Sequence, residues 1–225
     1  AGRLTYNKYT DGSWEAWEYD KAGRLTKAYN RDSVTEFVRN ALGQVIKETQ
    51  DGRTVEHKYD ERSRLSNIVS ALGGNITYGY DIKGAVNHIS AGMSGKRKPW
   101  EANIAYDRFG RETSRIMSGC VENTMQYDNV GRPAHQRVRH NGRTLLDRSY
   151  LWGDNLRLLR TFDTINGRSV RYDYDAFGSL SGAMYGDGSR QWRNPDAMGN
   201  VYDSPDRTDR SYGRGGQLRE DRKWR

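Results

Sequence analysis

Cysteine is nearly missing from this chain. Cys120 is the only one in 225 residues, which excludes an intrachain disulfide and any zinc site built from thiolates. No base lies beside it in sequence to lower its pKa, so Cys120 is expected as a packed strand residue, not a nucleophile. Hydrophobic residues are also scarce, at 34%. A deep core is therefore not expected, because burial has to offset about 1–2 kcal/mol of backbone entropy per residue. The longest uncharged run, 65–80, is interrupted by Ser66, Asn67, Gly73, Gly74 and Asn75, and this excludes a membrane helix. No long segment carries helical periodicity. The four histidines, His57, His88, His135 and His140, are scattered. His135 and His140 are an odd number apart and would face opposite sides of one strand, so no metal site is expected. No phosphate-cradling loop or Gly-x-Ser-x-Gly elbow is present.

So polar a composition would suit a disordered chain. Against that stand 15 Tyr, 6 Trp and 4 Phe, many of them placed just before turn signals. Net charge is +8, with acids and bases interspersed on most strands, which reads as a solvated sheet face. Any nucleic-acid binding, through clusters such as Lys96-Arg97-Lys98, is expected to be weak, non-specific and abolished by salt.

What the chain has in abundance is one motif. Tyr19-Asp20-Lys21-Ala22-Gly23-Arg24-Leu25 returns as Tyr59-Asp60…Ser63-Arg64-Leu65, Tyr80-Asp81…Gly84, Tyr106-Asp107…Gly110-Arg111, Tyr127-Asp128…Gly131-Arg132 and Tyr174-Asp175…Gly178. Weaker copies are Val38-Arg39-Asn40-Ala41-Leu42-Gly43, Pro195-Asp196-Ala197-Met198-Gly199 and Tyr212-Gly213-Arg214-Gly215-Gly216. The glycine, or Ser63 in its place, recurs at steps of 20 or 21 residues, widening to 26 before Gly110 and narrowing to 17 before Gly216. A fixed period of this length marks a repeat architecture.

The motif has a mechanical reading. Asp favours the first position of a type I turn and accepts bonds from amides just ahead. Gly three residues later takes the left-handed conformation that closes a three-residue hairpin with a bulge, so Gly110 is expected at positive φ. The aromatic ends one strand and Leu or Val begins the next. Between motifs, Asp11-Gly12, Asp51-Gly52, Asn141-Gly142, Asn166-Gly167 and Asp187-Gly188 signal two-residue hairpins, with Asn30–Ser33 and Gly73-Gly74 in equivalent places. One repeat is thus strand, Tyr-Asp turn, strand, tight turn, with about 6–8 residues per strand. In 54–59, Val55, His57 and Tyr59 share one face. Segment 91–99 reads as an exposed loop, and Tyr150–Leu156 as a degenerate copy of the motif.

This pattern resembles the YD repeats of the Rhs family, shared with the C component of insecticidal toxin complexes and with teneurins. The resemblance spans nearly the whole chain. It implies an all-β fold in which antiparallel hairpins form part of the wall of a spiral, hollow shell, and in bacterial members that shell encloses a C-terminal toxin. The chain opens as Ala1-Gly2-Arg3-Leu4, in mid-repeat, and ends where another strand is due. Residues 1–225 therefore read as one YD-repeat segment of a longer protein. Its expected partners are the rest of the shell, the enclosed toxin, and secretion-apparatus and chaperone proteins. The resemblance implies manufacture in the bacterial cytoplasm, export, and a part in interbacterial competition, with type VI secretion as the route.

Catalysis is not expected within this segment, nor is a cofactor. The aspartates at 20, 60, 81, 107, 128 and 175 repeat one turn position, whereas a glycosidase needs one facing pair. The Asp-Gly pairs lack calcium-loop spacing. Asn194-Pro195-Asp196 and Ser204-Pro205-Asp206 do not match the Asp-Pro-x-Gly mark of self-cleavage in the family, which places any autoprotease elsewhere. The alternative reading is a module that binds carbohydrate or a cell surface, and a glycan array would separate the two.

Overall fold

The computed structural model describes residues 2–95 and 98–222. Lys96, Arg97 and the last three residues lie outside them, and with them most of the basic cluster and the expected final strand. The chain is all-β and divides into two compact units, 1–110 and 111–225. Every registered strand pairing is antiparallel.

The first unit is a meander in which each strand pairs with the next. It comprises β1 (Tyr6–Lys8), β2 (Trp14–Tyr19), β3 (Leu25–Asn30), β4 (Val34–Arg39), β5 (Val45–Gln50), β6 (Arg53–Tyr59), β7 (Leu65–Ser70), β8 (Gly74–Tyr80), β9 (Val86–Met93) and β10 (Trp100–Tyr106). The second unit continues the style with β11 (Glu112–Met117), β12 (Val121–Tyr127), β13 (Pro133–His140), β14 (Arg143–Trp152), β15 (Leu158–Asp163), β16 (Ser169–Tyr174), β17 (Leu180–Tyr185) and β18 (Arg190–Trp192). Two small hairpins follow, β19 (Asn194–Pro195) with β20 (Val201–Tyr202) and β21 (Arg210–Tyr212) with β22 (Leu218–Asp221). Apart from a 3₁₀ turn at Arg214–Gly216, there is no helix among the described residues, and none is long and apolar enough to cross a membrane.

Burial is shallow. The buried apolar residues are Ala16, Ala102 and Ala183, and no large side chain among the described residues is fully enclosed. Alternation is clear where β-branched and aromatic residues alternate with charge: in β6, Val55, His57 and Tyr59 are half-buried while Glu56 and Lys58 are exposed. Cohesion comes from cross-strand pairs on the faces. Tyr6 stacks on Trp14 at 6.0 Å, and Trp14 meets the edge of Tyr29 at 5.9 Å, carrying one aromatic row across β1, β2 and β3.

Several expectations are corrected. Asp51-Gly52 and Asn141-Gly142 are two-residue turns with both residues left-handed. Asp11-Gly12 and Asp187-Gly188 instead sit in longer loops, closed by Tyr9 N–H to Ser13 O and Tyr185 N–H to Ser189 O. There only the glycine has positive φ. The aspartate accepts from the serine two residues on, Ser13 or Ser189, and this local bond favours the wider turn. Asn166-Gly167 belongs to a wider loop still, closed by Asp163 N–H to Arg168 O. In the stretch 91–99, Ala91–Met93 are not loop but prolong β9, pairing with Ile76, Asn75 and Gly74 of β8. Cys120 is not a packed strand residue. It is exposed, with φ 55°, in the turn between β11 and β12, where its carbonyl accepts the amide of Asn141. The preceding Gly119, at φ 81°, turns the chain before a strand can include Cys120.

Candidate functional site

The repeated motif builds one local structure. In 20–24, Gly23 N–H donates to Asp20 O and Asp20 N–H to Arg24 O, with Gly23 at φ 76°. This is a type I turn closed by a left-handed residue. The Asp60, Asp81, Asp128, Asp175 and Asp196 turns repeat both bonds, with Ser63 (φ 63°), Gly84, Gly131, Gly178 and Gly199 left-handed. Gly110 N–H donates to Asp107 O in the same way, with Gly110 at φ 80°. The degenerate copies also comply. Asn40, Gly153 and Gly213 replace Asp, and Gly43, Leu156 (φ 64°) and Gly216 take the left-handed place.

Each carboxylate is committed to its own turn. Asp60 Oδ1 accepts the amides of Arg62 and Arg64 at 2.9 Å, and Oδ2 accepts Arg64 Nε at 2.7 Å. Asp20 holds Arg24, and Asp128 holds Arg132, by the same amide-plus-guanidinium pair. Asp81, Asp107 and Asp175 accept the amides of Ala85, Phe109 and Ser179. The Arg64 guanidinium and amide hold the Asp60 carboxyl below its ordinary range, and the Arg24 amide and guanidinium do so for Asp20. At Asp128 partial desolvation pulls upward, but the bonds from Arg132 prevail and the carboxyl is lowered. Carboxylates so engaged are poor candidates for acid–base work.

The motif tyrosine performs a task that the turn alone does not explain. The aromatic sits where the strand register slips, as between Lys58 and Tyr59 or Gln126 and Tyr127. Such a bulge re-aims the side chain. Meanwhile, backbone pairing between successive hairpins stops short of the turn: β5 and β6 part after Lys47↔Glu56, and β7 and β8 after Asn67↔Thr77. A carbonyl is left without a strand partner, and the tyrosine hydroxyl donates to it. Tyr59 bonds Val45 O at 2.8 Å, Tyr80 bonds Leu65 O at 2.6 Å, and Tyr106 bonds Val86 O at 2.6 Å. Tyr19 reaches Leu4 O, Tyr127 reaches Glu112 O, Tyr174 reaches Leu158 O and Tyr212 reaches Val201 O. The acceptor is always the second residue past the left-handed position of the preceding copy. At two copies without tyrosine another donor makes the bond: Trp152 Nε1 donates to Pro133 O at 2.6 Å, and Arg39 Nη2 to Leu25 O at 3.2 Å, whereas Pro195, before Asp196, has no side-chain donor.

The arginine after the glycine adds a second link. Arg64 lies 4.2 Å from the Tyr80 ring centroid, Arg111 4.7 Å from Tyr127, Arg157 5.4 Å from Tyr174 and Arg132 5.7 Å from Trp152. Each arginine therefore ties its own aspartate or turn to the next hairpin's aromatic, a cation–π contact worth about 0.5–1 kcal/mol at exposed sites. Together these bonds clasp one hairpin to the next at nine of the copies. Sequence reading assigned the aromatic only to the strand end. The signal for the clasp lay in the choice of tyrosine over phenylalanine at seven intact or near-intact copies, since only tyrosine has a hydroxyl to donate.

No protein-family profile matches the chain. It is 28% identical over 203 residues to the probable deoxyribonuclease RhsA of Dickeya dadantii, a match covering 80% of this chain and 14% of that protein. A stretch of 62 residues, 27% of the chain, is 42% identical to double-stranded DNA deaminase toxin A of Burkholderia cenocepacia, of which it covers 4%. The crystal structure of TcdB2-TccC3-TEV shares the fold with a TM-score of 0.71 at 12% identity, over 88% of this chain and 12% of that one. The chain is related to the Rhs YD-repeat proteins. In this sheet the Tyr-Asp motif is thus both the turn within a hairpin and the clasp between hairpins. Among the described residues, no group of three or more His, Cys, Asp or Glu is arranged to hold a metal ion.

Proposed function

We propose that this chain is a wall segment of an Rhs-type toxin shell that encloses and carries a C-terminal toxic domain, exported by bacteria to act on competitors. The clasp carries this reading. It joins hairpin to hairpin without a core, and a curved wall around a cargo needs such a mode of growth. Similarity to RhsA supports it. The segment itself is non-enzymatic in this reading. Its partners are the rest of the wall and the cargo, with delivery and chaperone proteins beyond them.

Limited proteolysis of the full-length parent tests the proposal. The C-terminal domain is expected to resist protease until denaturant opens the repeat sheet. Immediate cleavage of that domain in the native protein rejects the wall reading.

A further inference from the structure

Charges on these sheets are matched across strands. Lys27 lies opposite Glu36, Glu122 opposite Arg139 and Arg137 opposite Asp147. Arg160 of β15 lies opposite Arg171 of β16. Among the registered pairs of the described residues, this one alone sets two permanent charges of one sign face to face. Like charges directly opposite destabilise a strand pair. The surroundings do not neutralise it. Arg160 lies 5.6 Å from the Phe162 ring centroid and has no ion pair among the described residues. Asp173 is the one carboxylate on this patch: its Oδ2 accepts Arg190 Nη2 at 2.9 Å, while its Oδ1 is 3.8 Å from Arg171 Nε. Three arginines thus share one acid, and the Arg171 side chain stays 61% exposed. A repulsive pair kept at an exposed site points to an anion supplied from outside the sheet.

The neighbouring residues narrow the class of anion. Leu151 of β14 lies opposite Arg160, so Leu151, Arg160 and Arg171 form a row across three strands, spaced about 4.8 Å apart. Leu151 and Phe162 are both exposed, and with Ser149 and Arg160 they line an open hollow of about 410 Å³. An apolar seat therefore adjoins a double cation. From Leu151 to the midpoint of the two arginines is one and a half strand spacings, about 7 Å. Side chains two residues apart in an extended chain are separated by about 6.5–7 Å. An extended segment laid across the strands can seat an apolar side chain in the hollow and a carboxylate, two residues on, between the guanidiniums. Arginine forks suit such a carboxylate. Single-stranded nucleic acid fits less well, because it needs free ring faces on which to stack bases. Here Arg160 covers Phe162, and Arg190 covers Trp192 at 3.8 Å from the ring centroid.

We infer that Arg160 and Arg171 form a docking site for an acidic segment of a separate polypeptide, one with an apolar residue two positions from its carboxylate. This inference is independent of the wall reading. The test measures fluorescence anisotropy of a labelled peptide in which leucine and glutamate alternate with serine between them, added to the full-length parent. The peptide is expected to bind, and its glutamine counterpart is not. Arg171→Gln and Arg160→Glu are each expected to weaken binding about tenfold or more. Arg160→Glu is also expected to raise the melting temperature, because it turns a repulsive pair into an attractive one. A site with only a structural role would not lose the peptide while gaining stability. Equal binding of the two peptides, unchanged binding by both variants, or a lower melting temperature for Arg160→Glu overturns the inference. So does tighter binding of oligothymidylate, or of phosphatidylserine vesicles, at the same two arginines.

Discussion

At the scale of single residues, the hydroxyl of the motif tyrosine and the φ of the turn-closing residue are separable. Tyr59→Phe keeps the ring and removes the donor to Val45 O, leaving a half-buried carbonyl unpaired. The expected loss is about 1 kcal/mol, read in the full-length parent as a lower urea midpoint with unchanged slope. The second determinant is tested by opposite changes. Gly110 has φ 80°, and a Cβ added there would meet no atom within 4 Å, so Gly110→Ala costs backbone strain alone, about 1 kcal/mol. Leu156→Gly removes such strain at φ 64° and is expected to stabilise, by roughly 0.5–1 kcal/mol once the greater freedom of glycine in the unfolded chain is deducted. Thermal melts of the two variants should move in opposite directions. A shift of the same sign in both would show that φ is not what these positions select.

At the scale of the hairpin, the clasp requires a donor in place more than a particular ring. Trp152 makes the bond that tyrosine makes elsewhere, between the β14–β15 hairpin and Pro133. Trp152→Tyr should therefore retain more stability than Trp152→Phe, although phenylalanine and tyrosine fill almost the same volume. Equal melting temperatures for the two would remove the hydrogen bond from the account. The turns also predict an acid limit. Asp20, Asp60, Asp128 and Asp196 all have lowered pKa values in the fold. The unfolded chain, with carboxyls near pKa 3.9, takes up protons first as pH falls. Protons thus favour unfolding: the contribution is complete above about pH 5 and is lost as pH drops through 3.9 and then through the folded values. Chemical denaturation between about pH 3 and 6 should show that decline, and Asp60→Asn should flatten it.

At the scale of the whole molecule, the absence of a core governs behaviour. With only alanines among the buried apolar residues of the described chain, each hairpin depends on its neighbours, as repeats in an array do. On the proposed wall reading, the end strands of this segment are bare when it is expressed alone, and bare strand edges invite association. Residues 1–225 expressed alone are expected to oligomerise or to melt with poor cooperativity, measured by size-exclusion chromatography with light scattering and by thermal unfolding. A sharp monomeric peak with one cooperative melt would mark a self-sufficient module and shift the balance towards surface binding.

The sequence by itself determined the turns, the period and the strand class, because those depend on φ preference and on alternation within about twenty residues. Asp20 through Gly23 is legible as a turn with no knowledge of what lies beside it. Ser63, filling glycine's place, was legible only through the period, whereas the period marked 150–156 as a degenerate copy and only the structure shows Leu156 in the left-handed position. The tertiary structure decided what reaches across hairpins. The bond from Tyr59 to Val45 and the ring contact of Arg64 with Tyr80 depend on where strand pairing stops and how a bulge turns a side chain. It also decided the fate of Cys120, whose place in a left-handed turn follows from Gly119 bending the chain one residue earlier than alternation suggests. The exposure of Val130 and Phe177 at their turns belongs to the same class: apolar residues in a sequence imply burial, and only the structure shows that within this chain they stay exposed.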